Sequence, residues 1–370
     1  TAGEVRGLVL GVAYGRGLPP FAEGDTAVLH PRFTDFTAQR RIDRLLTLDE
    51  QPGNAFIRLL RDPRGFATPI DEPEKVVREA EDLALETGGF TPGQARAHHQ
   101  VLTNRLTLVW GPPGTGKTHF LAAAILSLMR ARPLRVGVAG FTHAAVENLL
   151  MKVQGMAAAF PVYKLRDVRT PAAERSLAVL GADRAGDLAG CPGFLIGGTV
   201  HAFERLERFL PRLDLLVVDE ASQMRPADLA MPLPMLSPEG RLVLAGDDLQ
   251  LPPVIQGRYP AAEDGLPGLE DSIFAYLRHR DDPDDPVYTC QLQENWRMNR
   301  TLSLFPAETL YGRGYAPATE EVARRRIDLV PGEGEEPWLD RIIDPDHPLV
   351  LCVLEGVRTT IENRVEADLV

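Results

Sequence analysis

Cysteine is nearly absent: Cys191, Cys290 and Cys352 stand far apart in 370 residues. Their spacing fits neither a disulfide framework nor a thiolate metal site, so both are excluded and the thiols read as reduced core residues. Lysine is almost as scarce. Lys75, Lys117, Lys152 and Lys164 are the only four, and the rest of the 40 basic residues are arginine. Acidic residues number 52, giving a net charge of −12, which argues against a broad basic surface for coating nucleic acid but leaves room for a narrow groove. No run is apolar and long enough to span a bilayer and no signal peptide opens the chain, so we expect a soluble, cytoplasmic protein with no membrane partner. A composition 44% hydrophobic and 25% charged suits two or three domains with cores of their own. The chain opens on threonine and stops at Val370 within a helical pattern, from which we expect a piece of something longer.

Residues 1–70 carry short alternating runs at 4–12 and 26–30, punctuated by glycine and proline, which suits a small antiparallel β-barrel or sheet. Arg40, Arg41 and Arg44 in it read as solvated charges. Val76, Val77, Ala80 and Leu83 recur at helical spacing over 72–85. Five apolar strand candidates follow at 106–110, 136–139, 194–197, 215–218 and 242–245, each ending in a polar or glycine-rich loop. Helical stretches between them predict an α/β fold with a doubly wound parallel sheet, whose strand carboxyl ends carry the chemistry. Residues 152–190 read as mostly helical, and 258–270 as a linker. Strand candidates at 287–292 and 349–354 read as the start of a second α/β unit. The expected domains are therefore 1–70, a first lobe over 71–257, and an incomplete second lobe over 258–370.

The rest is organised around residues 106–118. An apolar strand ending at Trp110 breaks into Gly111-Pro112-Pro113-Gly114-Thr115-Gly116-Lys117-Thr118 and restarts as a helical pattern. Glycines let backbone N–H groups converge on phosphate oxygens, and a helix beginning at Lys117 aims its positive end at the same anion. Lys117 would reach the β- and γ-phosphates of ATP, and the Thr118 hydroxyl would hold Mg²⁺. Asp219 and Glu220 close another buried strand: Asp219 suits the Mg²⁺ shell, and Glu220 suits polarising the attacking water. A third strand-end loop, Gly246-Asp247-Asp248-Leu249-Gln250-Leu251-Pro252-Pro253, offers Gln250 as a γ-phosphate sensor.

Together these motifs resemble the superfamily 1 helicases, in the branch containing the nonsense-mediated-decay helicase, senataxin and the Okazaki-fragment nuclease-helicase. The family's G-P-P-G-T-G-K-T is matched at 111–118, its D-E-A-S-Q at 219–223, and its G-D-x-x-Q-L-P-P at 246–253. Its T-N-x-A-V-D-N appears at 142–148, departing at His143 and Glu147, and an x-T-T-like segment is approximated at 197–200. Its Q-Y-R-M-H becomes Asn295-Trp296-Arg297-Met298-Asn299, so the resemblance runs over about 90–298.

The resemblance implies a P-loop NTPase of two RecA-like lobes, with ATP between them and single-stranded nucleic acid across the top. It makes Gln94 an adenine contact, Trp296 a stacking partner for the base, and Arg297 an arginine finger reaching from the second lobe. Thr142, His143, Asn148, Thr199 and Pro253 would track the strand's backbone. The activity implied is an ATP-dependent helicase or translocase moving 5′ to 3′, on DNA in preference to RNA; the alternative is an ATP-gated nucleic-acid clamp without unwinding. The family's last motifs fall beyond residue 370, so this chain is expected to bind nucleotide yet turn over slowly.

Overall fold

Strand-forming runs of Val, Leu and Ile build one parallel sheet, and the helices between them cover both of its faces. The computed structural model describes residues 36–326, apart from 52, 157, 166–176, 182–183, 255–267 and 269, together with 348–350. The backbone divides into two compact units, residues 1–39 and 40–370; apart from the first four residues of α1, the elements below belong to the second.

The elements run in the order α1 (Phe36–Asp49), α2 (Ala55–Arg61), α3 (Pro63–Phe66), α4 (Glu74–Gly88), α5 (Pro92–Thr103), β1 (Leu106–Trp110), α6 (Lys117–Ala131), β2 (Arg135–Gly140) and α7 (His143–Gly155). Then come β3 (Val162–Leu165), β4 (Ala178–Leu180), β5 (Phe194–Thr199), α8 (Val200–Leu206), β6 (Leu213–Asp219), α9 (Pro226–Leu229) and β7 (Leu236–Gly246). The last are α10 (Ile273–Arg278), β8 (Thr289–Gln291), β9 (Glu294–Asn295), α11 (Arg300–Pro306), β10 (Ala316–Pro317) and α12 (Glu320–Ala323).

Eight strands lie in the order β4-β3-β5-β2-β6-β7-β1-β8, every pair parallel. Side chains alternate between faces along each strand. In β6, Leu216 and Val218 enter one core while Leu215 and Val217 enter the other. Burial on both sides is why these strands read as continuous apolar runs, and each fully buried Leu or Val contributes roughly 1.5–3 kcal/mol. Because all strands point the same way, the loops after β1, β2, β5, β6 and β7 emerge at one edge. Strand β7 lies between β1 and β6, so its carboxyl end sits between the phosphate-loop candidate and the acidic pair.

Four expectations change. Residues 36–66 are helical where a β domain was expected; runs such as Ala38-Gln39-Arg40-Arg41 favour helix, and the Asn54 side chain caps α2 by accepting from Ile57 N at 2.9 Å. The strand candidates at 4–12 and 26–30 lie outside the described residues. Arg41 and Arg44 are not solvated: Arg41 pairs with Asp228 at 3.5 Å and Arg44 with Glu207 at 2.9 Å. The 152–190 stretch supplies β3 and β4, short strands whose Val-Tyr-Lys-Leu and Ala-Val-Leu runs are masked by Ala- and Arg-rich flanks.

The fourth change is the largest. β8, expected to open a second unit, is the edge strand beside β1, with Leu108 opposite Thr289 and Trp110 opposite Gln291. The Asp281 carboxylate steers it there by accepting from the backbone N–H groups of Val287, Tyr288 and Thr289 at 3.0, 3.1 and 2.9 Å. The first lobe's sheet therefore reaches past residue 258. Of the expected linker only Gly268 and Glu270 are described, and of 349–354 only residues 349 and 350.

Candidate nucleotide site at the carboxyl edge

Strand β1 ends at Trp110 and hands the chain to a loop that only glycine accommodates. Gly114 and Gly116 hold φ at +77° and +76°, the left-handed region that a Cβ disfavours. Gly116 caps α6 without a side chain, leaving the helix's first N–H groups open toward the loop. The loop is braced from within and from its neighbour: Thr115 Oγ1 donates to Pro112 O at 2.8 Å, and Gly111 N donates to Gly246 O at 3.0 Å. Half-buried Lys117 folds its ammonium over the loop and donates to Gly111 O at 2.6 Å.

Gln94 lies beneath this loop. It sits in the first turn of α5, where Thr91 and Gln94 cap each other, and its Nε2 donates to Thr115 O at 3.2 Å. One donor and one lone pair of the amide stay free for a ligand.

Strand β6 delivers the acidic pair. Asp219 is 3% exposed and its Oδ1 accepts from Glu220 N at 2.9 Å. Burial, then the charge of Glu220, pushes the Asp219 carboxyl up to about 6, while Lys117 draws it down. Glu220 has φ +54°, the sole non-glycine residue in the left-handed region among the described residues. That conformation costs roughly 1–2 kcal/mol and turns the side chain out of the strand's alternation, the kind of strain that gathers at working sites.

The segment after β8 comes back over the loop. Leu292 N donates to Trp110 O and Trp296 N to Gly114 O, both at 2.8 Å. A Cβ placed on Gly114 would stand 2.6 Å from Arg297 Cβ, so Arg297 packs directly against the glycine loop, with Trp296 beside it 43% exposed. Buried Asn295 shapes the turn: its Oδ1 accepts from Arg297 N and Met298 N at 2.8 Å, and its Nδ2 donates to Met298 O and Ser303 Oγ at 2.9 Å. Gln250, exposed after β7, donates from Nε2 to Asp247 Oδ2 at 2.7 Å.

The remaining candidates lie along the same edge. Exposed Thr142 caps α7, accepting from Ala145 N at 3.2 Å; half-buried His143 follows, and exposed Asn148 lies further along α7. Thr199 ends β5 with its hydroxyl buried. That hydroxyl and His143 Nδ1 have no hydrogen-bond partner. Pro253 departs from expectation: it is buried, while Leu251, Pro252 and Val254 around it are exposed. Sequence reasoning missed Asn295, Tyr311, Tyr315 and the place of Asp247. An Asn before a tight turn was the available signal for the first; nothing local marks the tyrosines.

With β7 inserted between the strand carrying the glycine loop and the strand carrying the acidic pair, the sheet is that of a RecA-like P-loop NTPase core. Comparison with known proteins narrows this. A family model described as an AAA domain matches residues 89–262. The DNA replication ATP-dependent helicase/nuclease dna2 of Schizosaccharomyces pombe is 26% identical over 71% of this chain and 20% of its own length. The corresponding DNA2 protein of Mus musculus is 27% identical, over 75% and 27%. The DNA polymerase alpha-associated DNA helicase A of Schizosaccharomyces pombe is 26% identical, over 62% and 40%. The chain is similar to these ATP-dependent helicases, a likeness that points to the DNA2/NAM7-like branch of superfamily 1, and it spans a fifth to two-fifths of their length.

Proposed function

We propose that this chain is the ATP-hydrolysing motor portion of a helicase or translocase that moves 5′ to 3′ along single-stranded DNA. The observation that carries the reading is the return of Trp296 and Arg297 onto the glycine loop. A triphosphate lying there is gripped by the sheet from one side and by the following segment from the other, so its cleavage bears on both.

In this reading Lys117 holds the β- and γ-phosphates, Glu220 takes the proton of the attacking water, Gln250 senses the γ-phosphate, and Arg297 offsets charge developing in transfer. Trp296 stacks on the base and Gln94 reads its edge. The donor set fits Mg²⁺: the buried Asp219 carboxylate beside Glu220 has its pKa raised, a state a divalent cation would relieve, and the Thr118 hydroxyl would be a second ligand. Phosphate oxygens and waters would complete the shell. Mg²⁺ would neutralise phosphate charge there.

The strand's phosphates would lie along the loops after β2 and β5, where Thr142 and Asn148 are exposed and where the buried Thr199 hydroxyl and His143 Nδ1 lack a partner that a phosphate acceptor would supply once the loops open toward it. Contacts of this kind follow the backbone without reading sequence, which reconciles strand binding with a net charge of −12.

The test is ATP hydrolysis with single-stranded DNA or RNA over a salt series, together with strand displacement on duplexes tailed at either end. The reading predicts stimulation of about tenfold, within the range usual for coupled sites, greater with DNA and falling as salt rises, and displacement only from a 5′ tail. Hydrolysis indifferent to either strand contradicts it; stimulation without displacement selects the clamp.

A further inference from the structure

One buried carboxylate at the edge of the site serves four donors. Asp247 follows β7 and is 1% exposed. Its Oδ1 accepts from Trp110 Nε1 at 3.1 Å and Leu249 N at 3.3 Å, and its Oδ2 from Gln250 Nε2 at 2.7 Å and the Tyr311 hydroxyl at 2.8 Å. The γ-phosphate sensor and a tyrosine 61 positions further along thus share one oxygen.

Tyr311 is held for this task. It closes a π-helical turn, Ala307–Tyr311, a geometry that re-aims a side chain and recurs at functional sites. Its own carbonyl accepts from Gln291 Nε2 at 2.9 Å, and its ring packs on Trp110 and on Tyr315 with centroids 6.0 and 5.1 Å away. Tyr315 donates its hydroxyl to Pro113 O at 2.6 Å, inside the glycine loop. From Tyr315 the chain enters β10, which pairs with β9, Ala316 opposite Glu294 and Pro317 opposite Asn295. Trp296 and Arg297 come next after β9. A continuous set of contacts therefore runs from Gln250 through Asp247, Tyr311, Tyr315 and the β9–β10 pair to the two residues lying over the nucleotide.

We propose that Tyr311 is a positioning residue that relays the state of Gln250 to Trp296 and Arg297 through the shared Asp247 oxygen, so that the closing segment distinguishes ATP from ADP. The inference rests on the role proposed above for Gln250. When the Gln250 amide turns to a γ-phosphate, Oδ2 loses a donor. A buried carboxylate short of a donor is costly, so the Tyr311 hydroxyl becomes its remaining partner on that oxygen and draws its segment with it. With ADP the Gln250 amide stays on Asp247 and the segment is not drawn in. Burial, then the hydrogen bond to Asp247, raises the Tyr311 hydroxyl's pKa far above the usual phenol, so it remains a donor at working pH.

The experiment titrates the chain with a fluorescent non-hydrolysable ATP analogue and with the matching ADP derivative, in Mg²⁺, and compares the ratio of the two dissociation constants. Tyr311→Phe should move the ratio toward unity by about fivefold, one net hydrogen bond. Gln250→Ala should do the same, and the double variant should go no further than either single one, since both act through one oxygen. Tyr288→Phe is the control: it removes a buried hydroxyl that donates to Leu277 O at 2.8 Å, away from Asp247, and should lower stability while keeping the wild-type ratio. An unchanged ratio in Tyr311→Phe, additive effects in the double variant, or an equal change in Tyr288→Phe overturns the relay while leaving the motor reading intact. A wild-type chain that binds neither nucleotide overturns both.

Discussion

At the residue scale the proposed base is Glu220, and its backbone is the strained one among the described non-glycine residues. At φ +54° it gives up roughly 1–2 kcal/mol to leave the line of β6 and stand beside Asp219. Glu220→Gln keeps the shape, the strain and the loop but removes the base. We expect nucleotide affinity near wild type and turnover lower by about 10²- to 10⁴-fold, measured as steady-state phosphate release beside an equilibrium titration. Equal turnover in the two proteins assigns the water to another group. The sequence singled out Lys117, Thr118, Asp219 and Glu220 as candidates because phosphate chemistry dictates residue type and spacing together. Asn295 and Tyr311 were not singled out: they act through partners 2 to 64 positions away, and while an Asn before a tight turn is a local signal, none marks the long reach of Tyr311. Pro253 shows the converse, a motif residue whose ring the fold turns inward.

Among the elements, the parallel sheet was legible wherever a strand is buried on both faces, as β1, β2, β5, β6 and β7 are. β3 and β4 lie at one end of the sheet and run only four and three residues, too short to show a period, whereas β8 falls within the strand candidate at 287–292 and only its place beside β1 was hidden. β8 needed Asp281 and its three backbone donors to find its place, a long-range instruction that a strand pattern lacks. The sheet is also pinned from behind. Buried Glu72, ahead of α4, accepts from Arg132 at the end of α6 at 2.9 Å and from Arg241 in β7, and Arg241 also donates to Leu102 O at 3.0 Å. Removing Glu72 leaves the Arg241 guanidinium buried without its countercharge, a change that costs about 3–5 kcal/mol. Thermal unfolding should therefore show a strong loss of stability in Glu72→Ala. Glu74→Ala, which breaks only the exposed pair with Arg78, should unfold close to wild type. Similar curves for the two variants would show that the triad does not anchor β7.

For the whole molecule, an acidic chain concentrates its chemistry on one edge of one sheet. The glycine loop, the acidic pair, Gln250 and the ends of β2 and β5 all emerge there, and the segment from Asn295 to Tyr315 closes over it. That second side is what the sequence least disclosed, since it was expected to belong to a separate lobe and instead touches the glycine loop directly. The central claim is that nucleotide is gripped from both sides at once, and equilibrium binding of a Mg²⁺-bound fluorescent ATP analogue to wild type, Lys117→Ala, Trp296→Ala and Arg297→Ala tests it most directly. The account predicts that Lys117→Ala and each of the two variants on the closing segment lose affinity by about tenfold or more, each lost contact to a charged or stacked group being worth roughly 1.5–3 kcal/mol. Wild-type affinity in both Trp296→Ala and Arg297→Ala, with loss confined to Lys117→Ala, would contradict it.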